Sequence, residues 1–204
     1  MAIKLLIATR NKHKKNELEA ILAGWEVQVL SLDDIPEIPE VVEDGATFAE
    51  NAAKKARTTA DLSGYVTLAD DSGLEVDALG GAPSIFSARF GGPEADDATN
   101  NLKLLYLLRD IGPDQRTARF VCVIAVAIPG GEVHTVQGVC EGHIADCGQG
   151  QGGFGYDPLF IPQGFSLTFA QLSEAEKNQI SHRGQALLQA LPYLRTILEA
   201  EDQA

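Results

Sequence analysis

The sequence predicts an α/β protein with a mixed sheet, and three observations carry that prediction. Short apolar runs alternate with amphipathic segments in the order strand, helix, strand, helix, strand, helix, hairpin, helix. Two β-rich runs late in the chain are neighbours, so the sheet cannot be purely parallel. The composition, 45% hydrophobic and 22% charged, is that of an ordinary globule with a core to fill.

The elements follow in order. Residues 3–8 are a short apolar run, the mark of a buried strand. From Asn11 to about Ala23, Leu18, Ile21 and Leu22 recur at helical spacing, and Gly24 stops the helix. Val27-Gln28-Val29 alternates as a strand. Residues 31–44, with Pro36, Pro39 and a row of acids, read as loop. Thr47-x-x-Glu50 is a capping box, and the Ala-rich stretch behind it is helical to about Leu62. Residues 65–69 read as a strand that ends at Asp70-Asp71-Ser72-Gly73, and 79–93 as a Gly- and Pro-rich loop. Asn100–Arg109 is a helix with Leu102, Leu105, Tyr106 and Leu108 on its apolar side. Strands at 119–128 and 132–139 join through Pro129-Gly130-Gly131. Five glycines lie within 148–158, Ser173-x-x-Glu176 is a second capping box, and a last helix from about His182 breaks or kinks near Pro192. Hairpin strands inside such a sheet predict a split, with two lobes and a cleft between them.

Length favours one domain, 1–204, and a chain of 204 residues buries enough surface to fold without a staple. The 16 Lys+Arg against 29 Asp+Glu leave a formal net charge of -13. That balance argues against a basic face for polymeric nucleic acid, yet allows a small anion held by a local positive site. The charge is uneven. The first 16 residues hold Lys4, Arg10, Lys12, Lys14 and Lys15 and no acid, whereas 33–50 hold seven acids and no Lys or Arg. The two groups are expected to meet across the cleft through a metal ion. Cys122, Cys140 and Cys147 form no C-x-x-C pair, and their odd number argues against a disulfide framework or zinc site. The apolar run at 2–8 is too short for a secretory leader, and no window is long enough to span a membrane, so the expected compartment is the cytoplasm.

Four segments carry candidate chemistry. Thr9-Arg10-Asn11-Lys12-His13-Lys14 sits where a strand turns into a helix, a place where free N–H groups and the helix dipole favour an anion. The same residues also read as a plain helix start capped by Asn11. Asp70-Asp71, with Glu43 and Glu50 upstream, offers the hard oxygen ligands Mg²⁺ prefers, and a carboxylate there can accept a proton from water. A solvated Asp-Asp turn is the alternative. In Gly152-Gly153-Phe154-Gly155-Tyr156-Asp157-Pro158, glycines permit close approach, Phe154 and Tyr156 offer faces to a base, and Asp157 an acceptor. The alternative is a compact turn whose aromatics plug the core. Lys177, His182 and Arg183 open onto helix starts where cations oppose the dipole, a cost that an anion or carbonyl would offset. Otherwise they are exposed surface side chains.

Taken in order, the wording of these segments is specific. Thr9-x-Asn11-x-x-Lys14, Thr47-Phe48-x-Glu50-Asn51-Ala52-x-x-Lys55-Ala56, Ala69-Asp70-Asp71-Ser72-Gly73-Leu74, Gly80-Gly81-Ala82-Pro83-x-x-x-Ser87-Ala88-Arg89, Gly153-Phe154-Gly155-Tyr156-Asp157-Pro158 and Glu176-Lys177-Asn178-x-Ile180-Ser181-His182-Arg183-Gly184 together resemble the inosine triphosphate pyrophosphatase family. The resemblance implies an elongated central mixed sheet flanked by helices, two lobes with a substrate cleft, and a homodimer. It implies Mg²⁺-dependent hydrolysis of ITP, dITP and XTP to the monophosphate and pyrophosphate. It assigns Thr9, Asn11 and Lys14 to phosphate binding, Glu43 and Asp71 to the metal, and Asp71 also to proton acceptance. Ser72 becomes a substrate contact, and Phe154, Gly155, Tyr156, Asp157, Lys177, His182 and Arg183 the base-binding wall. Arg183 can only donate, so it should favour 6-oxo purines over adenine. The metal-dependent attack is then on the α-phosphorus, with Lys14 and the 9–11 loop neutralising phosphate charge. Two departures from this reading are a nucleotide-binding sensor without turnover and a pyrophosphatase of modified pyrimidine nucleotides; the carboxylates argue against the first and the Ser-His-Arg segment against the second. Arg10 stands where such proteins commonly have Gly, and a φ above zero there would strain it and shift the loop. Lys55 matches a recurrent lysine.

Overall fold

The computed structural model describes residues 3–25 and 27–201. Ala2, the first residue of the run weighed as a leader, lies outside the described residues. Six strands form one mixed sheet in the order β2-β1-β3-β4-β5-β6. They are β1 (Ile3–Ile7), β2 (Val27–Ser31), β3 (Val66–Val76), β4 (Thr117–Ala127), β5 (Val133–Ile144) and β6 (Phe160–Pro162). β1 pairs in parallel with β2, Ile3 opposite Val27, and with β3, Leu5 opposite Val66. β5 and β6 are antiparallel. The helices are α1 (Lys12–Ile21), α2 (Phe48–Ser63), α3 (Asp97–Leu108), α4 (Glu174–Ile180) and α5 (His182–Glu201).

The caps read from the sequence hold the starts of α1, α2 and α4, and Asp96, not read as a cap, holds that of α3. Asn11 Oδ1 accepts from the N–H groups of His13 (2.9 Å) and Lys14 (3.3 Å). Thr47 caps α2 through the N–H of Glu50 (3.1 Å), but the Glu50 carboxylate reaches back one residue further than a capping box requires, to the N–H of Ala46 (2.7 Å). Ser173 and Glu176 make the full reciprocal box at α4. Asp96 caps α3.

Cα packing divides the chain into two compact units, one of residues 1–71, 122–138 and 183–204, the other of 72–121 and 139–182. In the first, alternate residues of three strands build one apolar face: Leu5 and Ile7, Val66 and Leu68, and Cys122, Ile124 and Val126. Leu18 and Leu22 of α1 and Ala186, Leu187, Ala190 and Leu194 of α5 cover it. Leu6, pointing the other way, packs with Leu32 and Ile38. In the second unit, Leu74 and Val76 meet Leu104 and Leu108 of α3, Cys140, Ile144 and an aromatic group of Phe120, Phe160 and Phe169. Phe120 meets Phe160 edge-on at 4.7 Å and stacks on Phe169 at 5.9 Å.

Three sequence expectations need correction. Asp70-Asp71-Ser72-Gly73 does not end a strand; β3 runs through it to Val76, and the N–H of Leu74 is taken up by Ser87 Oγ (2.9 Å). Of the break or kink expected near Pro192, the break does not occur, for Pro192 lies inside α5. The stretch 79–93 is not plain loop, since 3₁₀ turns occupy 77–79 and 84–89.

Candidate active site

In the first unit the site is organised by the middle of β3. Successive residues of a strand face opposite ways, and Asp70 and Asp71 accordingly find different partners, though both are buried. Oδ2 of Asp70 receives Lys14 Nζ at 3.0 Å and the Nε and Nη2 of Arg183 at 3.2 and 3.1 Å. Burial by itself would push this carboxyl up, but the charges of Lys14, Arg183 and Lys55 outweigh it and hold Asp70 far below the usual carboxylate range. Burial likewise works against the Arg183 charge, and Asp70 and Glu17 more than reverse that. Glu17 takes Arg183 Nη1 in a close ion pair. Oδ2 of Asp71 accepts from Asn51 Nδ2 (3.0 Å). Burial pushes the Asp71 carboxyl up, and the nearby Glu43 charge adds to that; the Asn51 hydrogen bond, Lys14 and Lys55 oppose it. Asp71 is therefore the stronger base of the two.

Glu43 closes on Lys55 of α2 in a short, part-buried ion pair. Burial acts to lower the Lys55 pKa, but Asp70, Glu43 and Asp71 together raise it. At the start of α1, Thr9 Oγ accepts the N–H of Asn11 (3.1 Å), and Asn11 Oδ1 is spent on the cap. Arg10 does not take the strained conformation foreseen for it: among the described residues only Ser84 combines a side chain with a positive φ. Its guanidinium instead donates to the carbonyls of Leu32 (2.9 Å) and Ile38 (3.0 Å) and lies 3.5 Å from Asp33. Lys15 lies 3.7 Å from Asp34. Two cations of the basic stretch thus pair directly with acids of the segment that follows β2.

In the second unit the loop after β5 is built around Asp157. Its Oδ2 accepts the N–H of Phe154 (2.9 Å) and Lys177 Nζ (2.7 Å), and both partners of that ion pair are buried. Lys177 also lies 4.9 Å from the Phe154 ring centroid, a cation–π contact that fixes the ring. Gly155 is held from both sides by α3: Asp97 Oδ2 accepts its N–H (2.6 Å) and Asn101 Nδ2 donates to its carbonyl (2.9 Å). Tyr156 behaves as the core plug of the alternative reading. Its ring is buried among Leu74, Leu104 and Phe169, its hydroxyl donates to the Ser87 carbonyl (2.9 Å), and burial pushes its pKa up. His182 stacks on Phe120 at 4.6 Å with ring planes 10° apart. Ser72 follows Asp71 on β3, half-buried.

His182 and Arg183 are both buried, so the exposed-surface alternative for them is excluded. Several residues on which this arrangement depends were not singled out by sequence reasoning. Glu17 lies one turn from Lys14 on α1, and that i,i+3 spacing was a usable signal. Asn51 and Lys55 stood in a quoted motif without a role. Asp97, Asn101 and Phe120 carried no local signal; only the fold brings the first two to Gly155 and Phe120 to His182.

A mixed α/β sheet with buried carboxylates set among lysines, and an aromatic loop locked by an internal ion pair, defines an α/β protein equipped for phosphate chemistry. Residues 5–193 match the model of the Ham1 family, and the chain belongs to that family. It is 53% identical over 195 residues to the dITP/XTP pyrophosphatase of Desulforamulus reducens, covering 96% of this chain and 97% of the relative. Against the dITP/XTP pyrophosphatase of Geobacter sulfurreducens it is 51% identical, covering 90% and 92%. The solved HAM1 protein of Coxiella burnetii superposes with a TM-score of 0.86 at 39% identity, covering 95% of this chain and 99% of that one.

Proposed function

We propose that this protein hydrolyses non-canonical purine nucleoside triphosphates, dITP, XTP and ITP, to the monophosphate and pyrophosphate, and so removes them from the nucleotide pool. The observation that carries the reading is Asp71, a buried carboxylate with its pKa pushed up, standing beside Glu43, Lys14 and Lys55 in a chain about half identical to dITP/XTP pyrophosphatases.

The donor set fits Mg²⁺. Glu43 and Asp71 are hard oxygen ligands close enough for the charge of one to raise the pKa of the other, an unfavourable pairing that a divalent cation relieves. Those two residues would hold the ion, which when bound supplies charge neutralisation for the triphosphate. Asp71 accepts the proton of the attacking water. The water oxygen forms a bond to the α-phosphorus, the bond from that phosphorus to the α–β bridging oxygen breaks, and pyrophosphate leaves. Lys14 and the Thr9–Asn11 segment at the N-terminus of α1 take the phosphates, where the helix dipole adds to the lysine charge.

The remaining predicted residues are assigned to the base. Phe154 offers its ring, Gly155 its backbone, and Asp157, Lys177 and His182 a rigid polar setting, with Tyr156 anchoring the loop and Ser72 contacting substrate. Arg183 only donates, so a 6-oxo purine suits it and adenine does not. Arg183 shares its donors with Asp70 and Glu17, and an oxo group would join that set. An Arg183→Ala variant should lose its preference for ITP over ATP; an unchanged preference would move the discrimination elsewhere. The cytoplasm is the proposed compartment, supported by three unpaired cysteines, two of them buried with thiols pushed up to about 12. The homodimer implied by the motif resemblance belongs to the same proposal and should sediment at twice the 21.8 kDa of one chain.

Asp71→Asn is the central test. Turnover of ITP with Mg²⁺, followed as pyrophosphate, should fall about 10²–10⁴-fold, the usual worth of a general base, with a small change in KM. Near-normal turnover would remove Asp71 from the base role, and release of orthophosphate alone would refute the reaction.

A further inference from the structure

Asn51 lies in the first turn of α2 and is 2% exposed. A buried side-chain amide costs stability unless both its ends are used. Here both are. Oδ1 accepts the N–H of Gly45 (2.8 Å), and Nδ2 donates to Asp71 Oδ2 (3.0 Å). A backbone N–H can only donate, so it dictates which end of the amide is oxygen and commits the other end to Asp71. Gly45 lies two residues beyond Glu43. One amide therefore ties the loop that carries Glu43 to the strand that carries Asp71. The approach leaves no slack: a Cβ on Gly45 would lie 2.7 Å from Asn51 Oδ1 and 2.8 Å from the Glu50 Cβ.

We infer that Asn51 is a positioning residue for the hydrolysis, its amide holding Asp71 and the Glu43 loop at the separation at which the two carboxylates receive one divalent cation. The inference rests on the proposed roles of those carboxylates. A merely structural asparagine differs in what its loss changes: it lowers the melting temperature and leaves the metal affinity and turnover of the folded enzyme intact.

The test uses full-length Asn51→Ala, Asn51→Asp and Gly45→Ala. Mn²⁺ is titrated into protein holding an ITP analogue with an imido group between the α- and β-phosphorus, and free Mn²⁺ is read by its electron paramagnetic resonance signal. Pyrophosphate release from ITP with Mg²⁺ is measured in parallel. In Asn51→Ala, Mn²⁺ affinity and kcat should each fall about 10–100-fold, as for other residues that orient metal ligands, with the KM for ITP nearly unchanged. Asn51→Asp keeps the acceptor for Gly45 but turns a carboxylate oxygen onto Asp71, and should be no less impaired. Gly45→Ala displaces the amide from its other end and should weaken Mn²⁺ binding in the same direction; it decides the matter if the Asn51 variants do not fold. Mn²⁺ affinity and kcat close to wild type in the folded variants overturn the inference, provided Asp71→Asn is inactive. Full activity in Asp71→Asn instead overturns the base role on which it rests.

Discussion

Asp70 concentrates more opposed charge than any other residue described in the first unit, and its neighbours make it a determinant of stability. Its carboxylate sits between Lys14 and Arg183 with no exposed surface to speak of. Replacing it by Asn would leave the buried Arg183 and the half-buried Lys14 facing a neutral amide, a change of about 3 kcal/mol. For a chain of this size that corresponds to a drop of roughly 10 °C in melting temperature. The pH dependence follows from the same depressed pKa. The folded carboxyl stays ionised where an unfolded one, at about 3.9, takes up a proton. Its stabilisation is therefore present above that unfolded value and drains away as pH falls below it. Thermal melts of wild type between pH 6 and pH 3 should show a steeper acid loss than those of Asp70→Asn; parallel curves would mean that Asp70 is not depressed. Gly153 makes the matching point in the second unit. It takes φ +69, and a Cβ there would run into Asp157 Oδ2, so the Asp157–Lys177 pair can form only beneath a glycine.

Among the elements, α3 matters to the site out of proportion to its place in the chain. Asp97 and Asn101 stand one turn apart, the first accepting the N–H of Gly155 and the second donating to its carbonyl. Asn101→Ala removes one of these hydrogen bonds, worth about 0.5–1.5 kcal/mol, so the KM for ITP should rise about two- to tenfold with kcat little changed. A fall in kcat with constant KM would show that the loop serves the chemistry and not the base. None of this could be read from the helix itself: its partner lay 54 residues on, and of the residues expected on its apolar side Leu102 and Tyr106 are exposed. Periodicity and caps made α1 and α2 legible, because those signals are local; α3 was placed from Asn100, three residues late, with its Asp96 cap passed over. β3 was cut short because Asp70-Asp71-Ser72-Gly73 has turn chemistry, and the sheet on either side overrides it. β6, three residues long, offers no window for alternation to register. At the site, Asp71, Glu43 and Lys14 were legible as residue types in order. The bonds of Asn51, Glu17 and Phe120 were not, since they depend on which faces of distant segments the sheet brings together.

At the scale of the whole molecule, the net charge of -13 separates two kinds of anion. Much of the basic N-terminal stretch is already matched: Arg10 by Asp33, Lys15 by Asp34, Lys14 by Asp70. Cations matched in this way do not form a continuous basic face. Nucleic-acid affinity grows with the number of phosphates neutralised, each releasing counterions, and falls steeply with salt for that reason. A triphosphate asks for far less, a few charges at one helix end together with a divalent ion. Duplex DNA added in large excess should therefore leave ITP hydrolysis unchanged at 50 mM salt, the condition most favourable to polymer binding. Raising salt to 200 mM should increase the KM for ITP only about a few-fold, because few phosphate contacts give a shallow dependence. Chelation of the divalent ion should abolish turnover at either salt concentration, and added Mg²⁺ should restore it. Inhibition by DNA that disappears with salt would reveal a basic surface assembled from the lysines and arginines outside these pairs, and the separation of anions by the net charge would then fail.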